Sequence, residues 1–253
     1  MERENGESFE QAVRYFSSEE NITKCQPFIL ECQRYSDKIM KFGMTYQAIY
    51  KETSAKVIKE EYGVGGETIQ RGFYNPSPIV DIVMGNANRG KILKRITPKS
   101  KPVRKYLFDE FGMLVLVENF PLNIGCKEII IRQNDMETGI SFDDNGIQAL
   151  SECIYRGNQI LSYVFCLYNT YESRVFDYTK EEFEYSESGL TDVYIDRFFN
   201  SPNAPILRQE TYRFKHDMEG YLSQYTIIEK DNGISKNTQL NDEWFDIKIK
   251  RKV

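Results

Sequence analysis

The residue types that most often carry out acid–base and metal chemistry are scarce in this chain of 253 residues. It has one histidine, His216, and five cysteines that form no Cys-x-x-Cys pair. Zinc sites, serine-type triads and histidine-based proton transfer all draw on these residues, so the sequence argues against them. We assign no catalytic residue, no metal ligand and no cofactor, and we expect the cysteines to be reduced thiols of a cytoplasmic protein.

Carboxylates and tyrosines are the abundant alternative, and they are interleaved in residues 172–196. Tyrosine supplies a large, stiff contact area, and clustered carboxylates speed association with a cationic partner. We therefore predict a protein-binding surface formed by Glu172, Asp177, Tyr178, Glu181, Glu182, Glu184, Tyr185, Glu187, Asp192 and Tyr194. The charged outer face of an ordinary sheet would have a similar composition, and this alternative stays open.

A second charged segment is basic and contains no carboxylate between Asp81 and Asp109. It is a candidate anion-binding site for nucleic acid or an acidic partner, formed by Arg89, Lys91, Lys94, Arg95, Lys99, Lys101 and Arg104. The hydrophobic residues between these cations are aliphatic, which does not support base stacking. Lysines on an edge hairpin also discourage aggregation between strands, which is the structural alternative.

The first hundred residues begin with apolar spacing typical of helices and continue with residues typical of turns. Phe9, Val13 and Phe16 would share one face of a first helix, Pro27 would begin a second, and residues 51–61 would form a third. Residues 79–84 and 91–96 are apolar runs around a Gly-Asn tip and predict a basic β-hairpin. We therefore expect an N-terminal part, residues 1–103, that contains helices and this hairpin.

From residue 104 to residue 253 the sequence is a succession of short β-runs separated by turn signals. Among them are residues 173–178 and 182–186, and residues 243–250 form a candidate closing strand. This spacing is typical of an antiparallel meander and not of β-α-β units. The predicted fold is α+β: a small helical N-terminal part and a large, curved antiparallel β-meander.

A weak repeat lies within this β-region. Its pattern is apolar, any residue, aromatic, polar, two further residues, glycine and apolar. Copies occur at residues 106–114, 140–148 and 183–191, with a looser copy at 212–222. Alternation would bury the two apolar positions, and the glycine would adopt a left-handed conformation in the turn.

The pattern resembles the hairpin unit of the bacterial YD (Rhs-type) repeats, in which an aromatic–Asp pair precedes a turn glycine. Phe108-Asp109 and Phe142-Asp143 keep this pair, whereas Tyr185-Ser186 and Phe214-Lys215 depart from it. The resemblance covers four short segments. It implies a curved hairpin sheet of the kind found around polymorphic toxins and their immunity proteins.

These observations lead to three functional hypotheses. The first is a non-catalytic, immunity-type antagonist that occludes a basic toxin or effector through its acidic, tyrosine-rich face. The second is a carboxylate-based enzyme such as a carbohydrate-active hydrolase, which would need two acids converging in a pocket. The third is a nucleic-acid-associated protein that uses residues 89–105. No membrane partner is expected, because no apolar stretch is long enough to span a bilayer.

Overall fold

A computed structural model of the chain describes residues 12–85, 87–120, 126–231, 236–237 and 243–251. It confirms the predicted α+β class with a large antiparallel meander. The helices are α1 (Glu19–Gly43), α2 (Tyr46–Ala55) and α3 (Val80–Val83), with a 3-10 turn, η1 (Gly72–Tyr74). The strands are β1 (Lys59–Val64), β2 (Lys91–Ile92), β3 (Arg104–Phe108), β4 (Leu114–Asn119), β5 (Lys127–Gln133), β6 (Met136–Asp143), β7 (Gly146–Arg156), β8 (Gln159–Asn169), β9 (Arg174–Ser186), β10 (Gly189–Phe199), β11 (Ile206–His216), β12 (Leu222–Asp231), β13 (Lys236–Asn237) and β14 (Phe245–Asp246).

The strand order follows the sequence over most of the sheet. From β3 to β12 each strand is hydrogen-bonded to the next, whereas β1 lies between β3 and β2, and both β13 and β14 pair with β12. Short turns between long alternating strands produce this meander. The candidate runs at 173–178 and 182–186 are joined in β9, and the candidate strand at 243–250 is reduced to β14.

The chain divides into two compact units. We call residues 38–163 the central unit, and residues 1–37 together with 164–253 the terminal unit. The predicted boundary at residues 103 and 104 falls within the central unit, where β1 pairs with β3 and Lys59 stands opposite Phe108.

The central unit buries apolar side chains on both faces of its strands. On one face Leu116, Ile129, Ile140 and Leu150 stand opposite one another across β4 to β7 and are almost fully buried. Tyr46 and Tyr50 of α2 pack on Phe142 of the same face, with ring centroids 5.0 and 5.4 Å away. The other face carries a core cluster of Tyr106, Phe108, Leu114, Val117 and Ile130, on which Tyr74 packs.

In the terminal unit, α1 covers part of one face of β9 and β10. The ring of Phe28 lies 5.6 Å from that of Phe198, and the ring of Tyr35 lies 5.9 Å from that of Tyr178. Ser36 Oγ accepts a hydrogen bond from the backbone N–H of Val175 at 2.8 Å. The residues of α1 that face the strands therefore fix which side chains of this face are buried.

Two predictions about the helices are wrong. The second helix does not begin at Pro27, because α1 starts at Glu19 and contains Pro27. Ser18 Oγ accepts a hydrogen bond from the backbone N–H of Asn21 at 3.2 Å, which is the contact of an N-cap residue. The predicted helix at 51–61 is divided, since α2 ends at Ala55 and β1 follows it. Phe9 of the predicted first helix lies outside the described residues.

The predicted basic β-hairpin is also wrong. Residues 80–83 form α3, and β2 pairs with Gly63 and Val64 of β1. A short apolar run does not distinguish a strand from a buried helical turn by its periodicity. In the structure Asp81 of α3 is buried and forms an ion pair with Arg89 at 3.1 Å, a contact that the apolar run does not reveal.

The turns of the repeat have the predicted conformation. The polar side chain at the start of each turn accepts a hydrogen bond from the N–H two residues later. These acceptors are Asp109, Asp143, Ser186 and Asp217. The glycines Gly112, Gly146, Gly189 and Gly220 have φ values of 72°, 114°, 117° and 80°, which confirms the left-handed position.

Within the described ranges, no helix combines the length and the apolar character needed to cross a membrane.

Candidate functional site

The interior of the central unit holds a charged network around Arg71. This residue has a left-handed backbone, with φ of 57°, and only 3% of its surface is exposed. Its Nε donates to Glu128 Oε1 at 2.6 Å, its Nη2 donates to Ser151 Oγ at 3.0 Å, and its Nη1 donates to Glu137 Oε1. One guanidinium thus joins three strands of the sheet.

Neighbouring polar side chains complete the network. Gln70 Nε2 donates to Glu128 Oε1 at 3.0 Å, and the hydroxyl of Tyr163 donates to Gln70 Oε1. Arg132 forms an ion pair with Glu137 Oε2. Two guanidiniums therefore face two carboxylates, and the charges of these four side chains cancel within the protein.

The Arg71 guanidinium can lie close to the sheet because Gly139 has no side chain there. A Cβ atom at this position would overlap with Arg71 Nη2, Glu128 Oε1 and Ser151 Oγ. Gly139 stands opposite Ile130 on one side and Ser151 on the other, in the middle of β6. A glycine inside a strand commonly marks such a close approach of another group.

The two buried carboxylates differ in their electrostatics. Burial raises the pKa of Glu128 above its usual value, against the opposing charge of Arg71. Burial also disfavours the ionised form of Glu137, but the charges of Arg71 and Arg132 outweigh it and lower the pKa of this carboxyl. The environment thus holds Glu137 as an anion.

A cavity of about 360 Å³ opens beside this network, at the edge formed by the β3–β4, β5–β6 and β7–β8 turns. Asp135, Glu137 and Tyr155 are among its lining residues, and Glu128 is not. A glycoside hydrolase needs a proton donor with a raised pKa. Glu137 does not match that role, since both of its oxygens bind guanidiniums and its pKa is lowered.

Four of the predicted partner-binding residues come together on one face of the terminal unit. Glu182 stands opposite Tyr194 and Glu184 opposite Asp192 in the β9–β10 pair. Because cross-strand partners share a face, these side chains form one patch, which we call the acidic face. Glu182, Glu184 and Tyr194 are exposed, and Asp192 is half-buried.

The acidic face is organised by contacts within the sheet. Asp192 binds Arg213 of β11, with distances of 2.8 Å from Nε and 3.3 Å from Nη2. Lys180 Nζ lies 2.9 Å from Glu182 Oε1 and forms an ion pair with it. Burial, together with a hydrogen bond to Glu184, raises the pKa of Tyr194. Glu187 follows in the β9–β10 turn, where it is exposed.

The other predicted partner-binding residues do not belong to this patch. Tyr178 is 2% exposed, because it packs beneath Phe28 and Tyr35 of α1, and Glu181 is buried as well. Asp177 and Tyr185 are only half-buried but alternate with the residues of the acidic face, so they point to the opposite side of β9. Glu172 lies in the β8–β9 turn and binds Arg174 at 2.7 Å.

The basic segment divides into two groups. Arg89 donates to Asn75 O at 2.6 Å and to Ser77 O, and the buried Arg104 donates to Asn119 Oδ1 at 2.7 Å and to Ile69 O at 2.9 Å. The guanidinium groups of these two arginines are therefore engaged in hydrogen bonds within the protein. The remaining predicted anion-binding residues are exposed: Lys91, Lys94, Arg95, Lys99 and Lys101.

Four of the cysteines are buried, and the imidazole of the histidine contacts backbone carbonyls. Cys25, Cys32, Cys153 and Cys166 are buried, and burial raises the pKa of Cys32 to about 12. The ring of His216 lies between two backbone carbonyls, with Nε2 2.8 Å from Leu190 O and Nδ1 3.4 Å from Gly220 O. Over the part of the chain that is described, no group of three His, Cys, Asp or Glu residues is placed to hold a metal ion.

Comparison with known proteins finds no matching family model and no matching curated protein. The sequence reasoning missed Arg71, Glu128 and Glu137, whose contacts span 57 and 66 residues of chain. One signal was available, because Gly139 falls inside a β-run and marks the close approach of another group.

Proposed function

We propose that this protein is a non-catalytic binding module that recognises a basic protein through the acidic face. The observation that carries the proposal is the β9–β10 register, which groups Glu182, Glu184, Asp192 and Tyr194 on one face beyond the side chains that α1 covers. The resemblance to YD repeat hairpins makes the proposal more specific. The partner would be a bacterial toxin or effector, and the protein would act in the cytoplasm as its immunity-type antagonist.

Charge and rigidity both suit this patch to binding. Arg213 already holds Asp192, and Glu184 contacts Tyr194, so the side chains lose little freedom when a partner arrives. Tyr194 is 40% exposed and offers an aromatic surface among carboxylates. Such an arrangement accelerates encounter with a cationic protein, and the tyrosine adds contact area once the two have met.

The mechanism is occlusion of the site on the toxin that contacts its substrate. A toxin that acts on nucleic acid needs a basic substrate site, and a rigid acidic sheet face matches that site in charge. The antagonist would need no chemistry of its own. Inhibition would follow from occupancy, so it would require one antagonist for each toxin molecule.

The experiment compares two charge-matched variants of the full chain. Glu182→Lys/Glu184→Lys reverses two charges of the acidic face, and Glu20→Lys/Glu219→Lys reverses two exposed charges elsewhere in the terminal unit. Each variant and the wild type is immobilised and exposed to a lysate of the source bacterium. The proteins captured are identified by mass spectrometry, and association of the purified partner is then measured by surface plasmon resonance.

We expect a basic protein that the wild type and the control variant capture and the face variant does not. Its association rate should fall at least about tenfold in the face variant and become less sensitive to salt. Wild-type protein should also inhibit the partner at equal molar amounts. The same set of captured proteins for all three chains, or an unchanged association rate, would overturn the proposal.

A further inference from the structure

Five exposed cations in one segment of the central unit are not neutralised by any of the described residues. We call residues 91–101 the basic loop; its cations are Lys91, Lys94, Arg95, Lys99 and Lys101, all exposed. Among the described residues none of these five forms an ion pair, whereas Arg89 binds Asp81 and Lys105 binds Glu60. The basic loop therefore presents five charges to solvent.

Two aromatic residues that are distant in sequence have backbones hydrogen-bonded within this loop or two residues beyond its end. Tyr62 of β1 and Phe120, which follows β4, are stacked with centroids 6.0 Å apart and planes 5° from parallel. The backbone N–H of Leu93 donates to Tyr62 O at 2.8 Å, and the N–H of Phe120 donates to Val103 O at 2.8 Å. Phe120 is 36% exposed, so part of its ring remains accessible.

We infer that the basic loop and Phe120 form a binding site for single-stranded nucleic acid. Lysine and arginine side chains would contact successive phosphates, and the accessible ring of Phe120 would stack on a base. Single strands are recognised by this combination of cations and aromatic rings, and they alone expose base faces for stacking. A duplex would use the cations but not the ring.

The surroundings of the rings favour this use. Tyr62 supports one side of the Phe120 ring, which keeps it in place without a partner. Two carboxylates lie close by, and both already have partners. Glu60 binds Lys105 at 2.7 Å, and Glu118 accepts a hydrogen bond from the Tyr50 hydroxyl at 3.2 Å. Repulsion of phosphate by these acids is thereby reduced.

The test measures binding of a fluorescein-labelled oligothymidylate of about 15 nucleotides to the full chain by fluorescence anisotropy, over a series of salt concentrations. Lys94→Glu/Arg95→Glu removes the loop charges, and Phe120→Ala removes the ring. The matched control Lys41→Glu/Lys51→Glu changes the same number of charges on α1 and α2. Phe120→Trp keeps an aromatic surface, and circular dichroism verifies that each variant is folded.

We expect binding that weakens steeply with salt and that falls at least about tenfold in the loop variant. Phe120→Ala should lose about tenfold, and Phe120→Trp should retain wild-type affinity. A duplex of the same length should bind more weakly than the single strand. The inference is overturned by undetectable binding, by equal or tighter binding of the duplex, by an unaffected Phe120→Ala variant, or by an equal loss in the control.

Discussion

The Arg71 network and the acidic face both combine carboxylates with cationic side chains, but they differ in burial. In the network, the guanidinium of Arg71 lies between Glu128 and Glu137, and all three side chains are almost fully buried. On the acidic face, Glu182 and Glu184 remain exposed. Ion pairs are costly to break when they are buried and contribute little when they are exposed to water.

The difference shows that burial, and not residue type, decides whether a carboxylate is enclosed within the protein or left at its surface; in our proposal the surface carboxylates serve recognition. Gln70 and Arg71 join the network to a chain segment that packs on the sheet, so the network fixes that segment in place. The acidic face makes contacts mainly among its own strands. Two of its three carboxylates are already paired, with Lys180 and Arg213, but these pairs lie at the surface, where a partner can still reach them. The ion pairs of the network are buried and cannot be reached.

Among substitutions that test the contrast between the Arg71 network and the acidic face, Arg71→Met should cause the largest loss of stability. The substitution keeps much of the side-chain volume but leaves Glu128 and Glu137 buried without their shared cation. We expect the free energy of unfolding to fall by about 3–5 kcal/mol in urea denaturation at neutral pH. The control Arg95→Met, on the exposed basic loop, should change it by less than about 0.5 kcal/mol. Similar losses in the two variants would contradict the distinction.

The pH dependence of Glu137→Gln tests the charge state of the network. The folded-state pKa of Glu137 lies below its ordinary value of 4.5, so acid protonates this group first in the unfolded chain. Its contribution to stability is complete above that ordinary value and is lost as the pH falls through the folded-state pKa. Glutamine does not ionise, so the loss caused by the substitution should be about 1.5–3 kcal/mol at neutral pH and shrink on acidification. Urea denaturation across the pH range measures it, and a loss that grows in acid would contradict the assignment.

Gly139→Ala tests the space that the sheet leaves for Arg71. Its Cβ would overlap with the guanidinium and with Glu128, so either the network or β6 must shift. We expect a loss of about 1–3 kcal/mol, measured by thermal or urea unfolding. Gly43→Ala is the control, because a Cβ at Gly43 meets nothing within 4 Å. That variant should be unchanged or stabilised by up to about 1 kcal/mol, and an equal loss at both positions would count against a specific role for Gly139.

The sequence was informative wherever structure depends on near neighbours. Alternation predicted the strands of the meander, and the aromatic–polar–glycine pattern predicted the left-handed turns at Gly112 and Gly146. The same local reasoning misassigned residues 80–83, which form a helical turn with Asp81 buried and paired with Arg89. A short apolar run carries no information about that contact.

Assignment of the site was limited for the same physical reason. Tyr178 and Tyr194 lie on one face and belong to one acidic, tyrosine-rich segment, yet α1 buries the first and leaves the second exposed. Alternation gives the face of a strand but not the element that covers it. Phe120 likewise comes near the end of the basic loop only through the hydrogen bond of its backbone N–H to Val103 O, so the interleaved aliphatic residues alone gave no indication of an aromatic residue there.

The smallest energetic effect is expected for the ion pair of the acidic face. A large coupling energy there would contradict the contrast between the acidic face and the Arg71 network. A double-mutant cycle on Lys180→Ala and Glu182→Ala isolates the energy of an ion pair 2.9 Å long whose side chains are 33% and 52% exposed. Solvent screening should hold the coupling energy to about 0.2–1 kcal/mol, decreasing with salt, in urea denaturation. The matching cycle on Arg71→Met and Glu137→Gln should give a larger, salt-insensitive coupling, because both groups are buried. Equal couplings in the two cycles would mean that exposure does not separate the roles of these carboxylates.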